Sequence, residues 1–302
     1  MISPGKERSQ EIESGLEKFG TKVKRESEGR WNFNLCNGKS LHVHARLENE
    51  WLLLDAPVQV HSNDGQERNR RMLLWNGDLA GLSKYAMLPA DPDVRIRAEI
   101  PLAQEIQETS IGNILGETCE GFRQAADHIA SIGGSNRTGQ SPVEVVSAGT
   151  ESLPTFDFGP VLNETGWAYT PRSPGRTSVD LECGREFFQA LLEARPDGSI
   201  RASAELVRWQ DPAKESCDAL ALLLLSASAI VRMVRPVADT APDHIAAGFE
   251  VQFAAPPSAA WLDRTLAALS VACGLCGREA AILNDRAIAR QYLALHGYNE
   301  AA

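Results

Sequence analysis

Ile12, Leu16, Phe19 and Val23 recur at steps of 4, 3 and 4, which puts them on one stripe of a helix. Ser3-Pro4 provides an N-cap and a first helical residue. The pattern therefore predicts an amphipathic helix over roughly residues 4–25. Strand-like segments follow at 31–35, 41–47 and 51–60. Asn37-Gly38 joins the first two as a hairpin turn, because both residues tolerate positive φ. Residues 68–79 read as a short helix ending near Gly77, and 85–88 with 94–100 as paired strands around a turn at 89–93. Apolar and charged residues alternate in the second of these, which implies one solvated face. Ile111, Leu115, Cys119, Phe122, Ala126 and Ile129 mark a long closing helix.

The pattern then breaks and returns. Residues 133–139 lack apolar periodicity and read as a linker; 143–146 and 154–161 are strand-like. Beyond them Trp167-Ala168-Tyr169 echoes Trp31-Asn32-Phe33, and 178–182 echoes 40–44. Residues 187–194 and 199–207 form a hairpin around Pro196-Asp197-Gly198. A greasy helix over 212–230 follows, then strands at 231–237 and 245–253 around Pro242-Asp243. A last apolar series, Leu262, Leu266, Leu269, Cys273, Cys276, Ala280 and Leu283, completes the copy. Trp31 to Pro92 spans 61 residues and Trp167 to Pro242 spans 75, the excess lying in a larger hairpin and a longer helix. Strand, strand, strand, helix, strand, strand, helix thus occurs twice, and internal duplication is the simplest account. The expected fold class is α+β: a tandem duplication of a small antiparallel-sheet module with flanking helices. The first module occupies 1–132, a linker and irregular segment 133–165, and the second module with an extra C-terminal helix 166–302.

Composition narrows the function. Of 302 residues 43% are hydrophobic and 23% charged, enough to build a core of ordinary size. The net charge of −10 divides as −4 over residues 1–150 (17 basic, 21 acidic) and −6 over the remainder (13 basic, 19 acidic). Neither half carries the basic surface that a nucleic-acid partner requires. The longest apolar run, at 219–225, is far short of the ~20 residues that span a bilayer, so no membrane partner is expected. The N-terminus lacks the apolar stretch of a secretory signal, and a cytoplasmic location is expected. Six scattered cysteines fit reduced, buried thiols rather than a disulfide framework.

Residues 73–79, Lys84-Tyr85-Ala86, the turn at 89–93, the strand at 94–100, Pro101-Leu102 and the closing helix together resemble the type III secretion chaperone-like fold, whose pattern the YbjN-like bacterial proteins share. The resemblance covers residues 4–132, and 166–283 through the repeat. It implies a small acidic protein that holds partly unfolded segments of another protein. Two fused copies would then make a pseudo-dimer within one chain, with a homodimer as the other arrangement. The second copy lacks a clear counterpart of the first helix, and residues 284–297 are the candidate for that place.

Chemical motifs are sparse. Cys273-Gly274-Leu275-Cys276 is a CxxC, but both cysteines fall on the apolar stripe of their helix, where core packing explains them. His42 and His44 share one strand face, with His61 as a third potential ligand, yet no carboxylate or cysteine stands at a confirming spacing. His128 suits a surface or core role. Neither a Gly-x-Ser-x-Gly elbow nor a phosphate-binding loop is present. The reading is a non-enzymatic protein-binding or chaperone-like protein with a protein or peptide partner and without catalytic, cofactor or metal residues. Trp51 and Trp209 are its candidate contact residues. Leu73, Leu74, Trp75, Leu223 and Leu224 are the candidates for packing between modules, because a helix apolar nearly all round must be covered on more than one side. The alternative is an enzyme or ligand-binding protein with its site between the modules.

Overall fold

The computed structural model describes residues 4–37, 39–58, 65–88, 91–102, 111–132, 156–241 and 244–298. His61, Gly38, Pro242-Asp243, the strand-like 143–146 and part of the 89–93 turn lie outside them. The first module runs α1 (Pro4–Phe19), β1 (Thr21–Ser27), β2 (Arg30–Asn37), β3 (Lys39–Glu48), β4 (Trp51–Pro57), α2 (Gly65–Trp75), a 3-10 turn (Asn76–Asp78), β5 (Lys84–Leu88), β6 (Asp91–Pro101) and α3 (Ile111–Ile132). The second runs α4 (Gly159–Thr165), β7 (Tyr169–Ser173), β8 (Arg176–Cys183), β9 (Glu186–Ala194), β10 (Ile200–Gln210), α5 (Lys214–Ile230), β11 (Arg235–Ala241), β12 (His244–Phe253), α6 (Ala259–Ile282) and α7 (Arg286–Leu295).

Each module holds one six-stranded antiparallel sheet. The strand orders are β1-β2-β3-β4-β6-β5 and β7-β8-β9-β10-β12-β11, the same path drawn twice. The fold is therefore α+β with two like modules in tandem. The match differs in detail from the sequence expectation. The first helix stops at Phe19, where Gly20 N–H bonds back to Leu16 O at 2.8 Å. Val23 belongs to β1, a polar edge strand, Thr-Lys-Val-Lys-Arg-Glu-Ser, without the alternation that announces a strand. Each module thus has four strands before its middle helix, not three. Trp31 sits in the second strand of its sheet, whereas Trp167 precedes the first strand of the other, so the two tryptophans are not equivalent.

One face of each sheet is apolar and covered by helices. Trp31, Phe33, Val43, Leu54, Ile96 and Ala98 are buried beneath α1 and α3; Val179, Leu181, Ala190, Leu192, Ala202 and Val251 are buried beneath α4 and α6. Helix α4 takes on α6 the place that α1 takes on α3, although 154–161 read from sequence as strand-like within a linker and irregular segment; Pro160 at the first turn starts a helix there instead. Helix α7 packs instead on α5, where Arg286 and Arg290 both meet Glu215 at 2.7 Å, so it does not fill the place of a first helix. Helix α6 lies close on its sheet because Gly274 and Gly277 face Cys183 and the Phe188 ring; a β-carbon on Gly274 would overlap Cys183 Sγ. By length and composition α6, 24 residues with a mean hydropathy of 1.3 in its most apolar stretch, is also long and apolar enough to cross a membrane, which the short run at 219–225 did not suggest.

The modules meet through their middle helices and the adjoining edge strands. Helix α5 packs on α2 and across β5 of the other sheet, and α2 packs across β11 in return. Leu223 and Leu224 are buried on α5 and Leu73 on α2. Leu74 is 36% exposed at the margin of the α2–α5 cleft. Trp75 turns away from α5 and stacks on His128 of α3, ring centroids 5.0 Å apart, within its own module. Polar contacts reinforce the joint: Arg70 pairs with buried Asp218 at 2.7 Å, and Arg97 Nη1 donates to Ala229 O at 3.1 Å.

Candidate partner-binding groove

The uncovered faces of the two sheets are polar, because strand alternation sends their even-numbered or odd-numbered partners outward. On the first sheet His42 Nδ1 and Asn34 Oδ1 are 2.9 Å apart, and His44 Nδ1 and Asn32 Oδ1 2.7 Å apart. The two imidazoles meet edge to face at 4.7 Å. Each histidine is thus engaged with an asparagine across the β2–β3 ladder. Among the described residues no group of three or more metal-ligating side chains comes together.

The second sheet offers a different feature. Helix α4 ends on Gly166, whose φ of 78° closes the helix through its N–H to Leu162 O at 3.2 Å. The chain then passes through Trp167 and Ala168 into β7. Strand β7 pairs with β8 only from Ser173–Arg176 to Tyr169–Val179, with one further bond from Asp180 N–H to Ala168 O at 3.0 Å. Residues 181–183 of β8 pair with β9 on one side and have no strand on the other among the described residues. Ser270 Oγ of α6 donates to Glu182 O at 3.0 Å, so the Glu182 N–H is the main-chain group this short edge leaves open among the described residues.

Beside this short free edge lies an open groove of about 620 Å³, lined by Trp167, Asp180, Glu182, Phe187, Gln189 and Asp263 among others. Trp167 is fixed by its indole N–H, which donates to Asp263 Oδ1 at 2.8 Å. Gln189 Nε2 donates to Asp180 Oδ1 at 3.2 Å. Both carboxylates keep acceptor capacity beyond these bonds. Phe187 is 75% exposed. Its neighbour Phe188 points the other way, onto Gly277 of α6, so alternation forces one of the two rings into solvent. The groove thus combines three carboxylates, three aromatic residues, of which Trp167 and Phe187 face it beside the inward Phe188, and a short strand edge without a neighbouring strand among the described residues; none of its lining residues is basic.

The contact residues expected from sequence lie elsewhere. Trp51 is half-buried under the Arg232 guanidinium, 5.1 Å from its ring centroid, and Arg232 also pairs with Glu48 at 2.6 Å. That tryptophan is a joint between modules. Trp209, expected at the surface, is only 6% exposed. The cause is a bulge between Glu205 and Val207, where the register against β12 slips and alternation restarts with Val207 and Trp209 inward. Gly248 permits it, since a β-carbon there would strike Ala204 O. Cys273 and Cys276 are fully buried, and burial pushes both thiols up to about 12. Sequence reasoning missed Phe187, Asp180, Glu182 and Asp263; the doublet Phe187-Phe188 in an alternating strand was the available signal. Compared with known family models, curated proteins and solved structures, the chain matches none.

Proposed function

We propose that this chain is a non-enzymatic, chaperone-like protein-binding protein. Its two modules act as one intramolecular pseudo-dimer, and the groove beside β8 receives an extended, basic segment of a partner protein. The observation that carries the reading is the short edge at 181–183, without a strand on its outer side among the described residues and with the Glu182 N–H open, set against Phe187 and the carboxylates Asp180, Glu182 and Asp263. An extended segment can add to such an edge through main-chain hydrogen bonds while alternate side chains enter the groove. A Lys or Arg there meets Asp180 and Glu182, and an apolar neighbour covers Phe187. The outer edges suit strand addition less. β1 carries Lys22 at φ 55° and breaks in register at Lys24 and Ser27; β7 contains Pro171 and breaks at Ser173. Bulges, charges and prolines of this kind discourage pairing.

Fluorescence anisotropy with short labelled peptides of alternating Lys and Val, against matched Glu and Val peptides, tests the proposal. The basic series is expected to bind, to weaken with added salt, and to lose about tenfold in affinity or more, ~1.4 kcal/mol, in Phe187→Ala and in Glu182→Lys. Equal binding of the acidic series, or binding indifferent to both substitutions, would rule it out.

A further inference from the structure

The joint between the modules holds a second concavity, independent of the β8 groove. It is a cleft of about 300 Å³ whose walls come from both modules: Leu82 before β5, Ile114 and Glu117 on α3, Phe253 at the end of β12, and Pro257 and Trp261 at the start of α6. Local geometry holds these walls in place. Gly81 adopts φ 60°, and a β-carbon there would lie 2.9 Å from Thr118 N, so only glycine lets the loop before β5 press onto α3 beside Glu117. Ser258 caps α6 by accepting from Trp261 N–H at 3.4 Å, and the Trp261 ring meets Phe253 edge to face at 6.0 Å.

Two polar groups in this apolar cleft are unmatched. Glu117 is the only charged residue among those that line it, is half-buried, and has no ion pair or side-chain hydrogen bond among the described residues. Burial raises its pKa, as expected for a carboxylate that has lost water without gaining a counter-charge. Trp261 is 94% buried, being 6% exposed, and its indole N–H has no acceptor among the described residues. A buried donor without a partner and a lone carboxylate each cost stability. Apolar walls with a few convergent polar groups are the form of a small-molecule site.

We propose that this cleft binds a small organic cation, a protonated amine on an apolar or aromatic body, with the amine against Glu117 and the body between Leu82, Ile114, Phe253 and Trp261. The size is suitable, since the cleft holds a single ring with a short side chain and excludes a folded peptide. Gln252, which also lines the cleft, accepts from Arg235 Nη2 at 2.8 Å, so an occupant touches the buried charge network that joins the modules.

The test uses the full chain titrated with 2-phenylethylamine and with its uncharged analogue 2-phenylethanol, followed by calorimetry and by the Trp261 indole N–H resonance, assigned through Trp261→Phe. Saturable binding of the amine is expected, with a shift of that resonance, at least about tenfold weaker binding of the alcohol, and a similar loss in Glu117→Gln. Leu82→Trp, which fills the cleft, is expected to abolish it. Phe187→Ala in the β8 groove is expected to leave amine binding unchanged, and Glu117→Gln to leave peptide binding unchanged, so either site can fail without the other. Absence of a saturable amine response in the intact protein overturns the inference. So does equal binding by Glu117→Gln with an unaltered melting temperature.

Discussion

Lys84 and Arg235 occupy the same position in the two modules. Each opens the edge strand at the joint, is buried, and pairs with a buried glutamate of its own sheet: Lys84 with Glu99 at 2.8 Å, Arg235 with Glu250 at 2.7 Å. Each also donates to main-chain carbonyls of the opposite module. Lys84 Nζ reaches Val231 O at 2.9 Å and Val234 O at 3.2 Å, and Arg235 Nη1 reaches Leu79 O. The contact is thus exchanged across an approximate two-fold, and a basic side chain satisfies the carbonyls of a loop that its own module does not contain.

Replacing one partner of such a pair leaves a charge in a site that water cannot reach. Glu250→Leu, which strands Arg235, is expected to destabilise the chain by about 3–5 kcal/mol, read as the shift in a urea unfolding curve. Glu99→Leu is expected to be similarly costly, and the double change Lys84→Met with Glu99→Leu less costly than Glu99→Leu alone. Because the basic member of each pair also donates to carbonyls of the opposite module, hydrogen exchange is expected to rise in both β5 and β11 in either single variant. Acceleration confined to one module would refute the exchanged contact.

Helix α6 is set by what its glycines allow. Gly274→Ala places a β-carbon on Cys183 Sγ, and overpacking of this kind costs about 1–3 kcal/mol. Cys183→Ala removes the obstructing sulfur and is expected to recover part of the loss in the double variant. Additive effects of the two changes would show that the helix does not rest on β8 as described.

The parts of the fold legible in sequence are those where apolar periodicity survives at both ends of an element. The closing helices α3 and α6 and the hairpin of β9 with β10 are of this kind. Strand β1 was illegible because an exposed edge has only Val23 half-buried, and the stripe Ile12, Leu16, Phe19 ran on into it in register. Trp209 was misplaced because one extra residue at 205–207 reverses which side faces the core, and nothing local marks the bulge. The groove was hidden for a further reason. Trp167, Phe187 and Asp263 are brought together by the place where β7 leaves β8, and that is a property of the sheet.

His128 carries a pH dependence. Burial against Trp75 lowers its pKa below the usual histidine value, the nearby carboxylates of Asp78 and Asp127 opposing the shift only in part. The folded protein therefore binds this proton less readily than the unfolded chain. The stability contribution is full above the unfolded value of about 6.5 and declines as pH falls from there toward the lowered folded value. The urea midpoint is expected to drop between pH 7.5 and pH 5.5, more in the native sequence than in His128→Asn. An equal drop in both would assign the effect to other groups.

The thiols of Cys273 and Cys276 give the last test, because a CxxC invites a redox reading. Both side chains are fully buried on α6, and their pKa values near 12 follow first from desolvation, with Cys276 and then Cys183 beside Cys273, and Glu279 beside Cys276, adding to it. At pH 8 a thiol of pKa near 12 is a thiolate on the order of one part in ten thousand, and the thiolate is the form that reacts. A redox-active CxxC shows the reverse, an exposed sulfur with a depressed pKa. Alkylation of Cys273 and Cys276 in the native protein is therefore expected to proceed only through opening of α6, at a rate that rises with urea as the global stability falls. Cys183 and Cys217, both partly exposed, are expected to react sooner. Peptide mass spectrometry after timed alkylation resolves the four sites. If Cys276 is modified as fast as Cys183, with no dependence on urea, then α6 is not held against its sheet, and the core assignment of the CxxC fails with it.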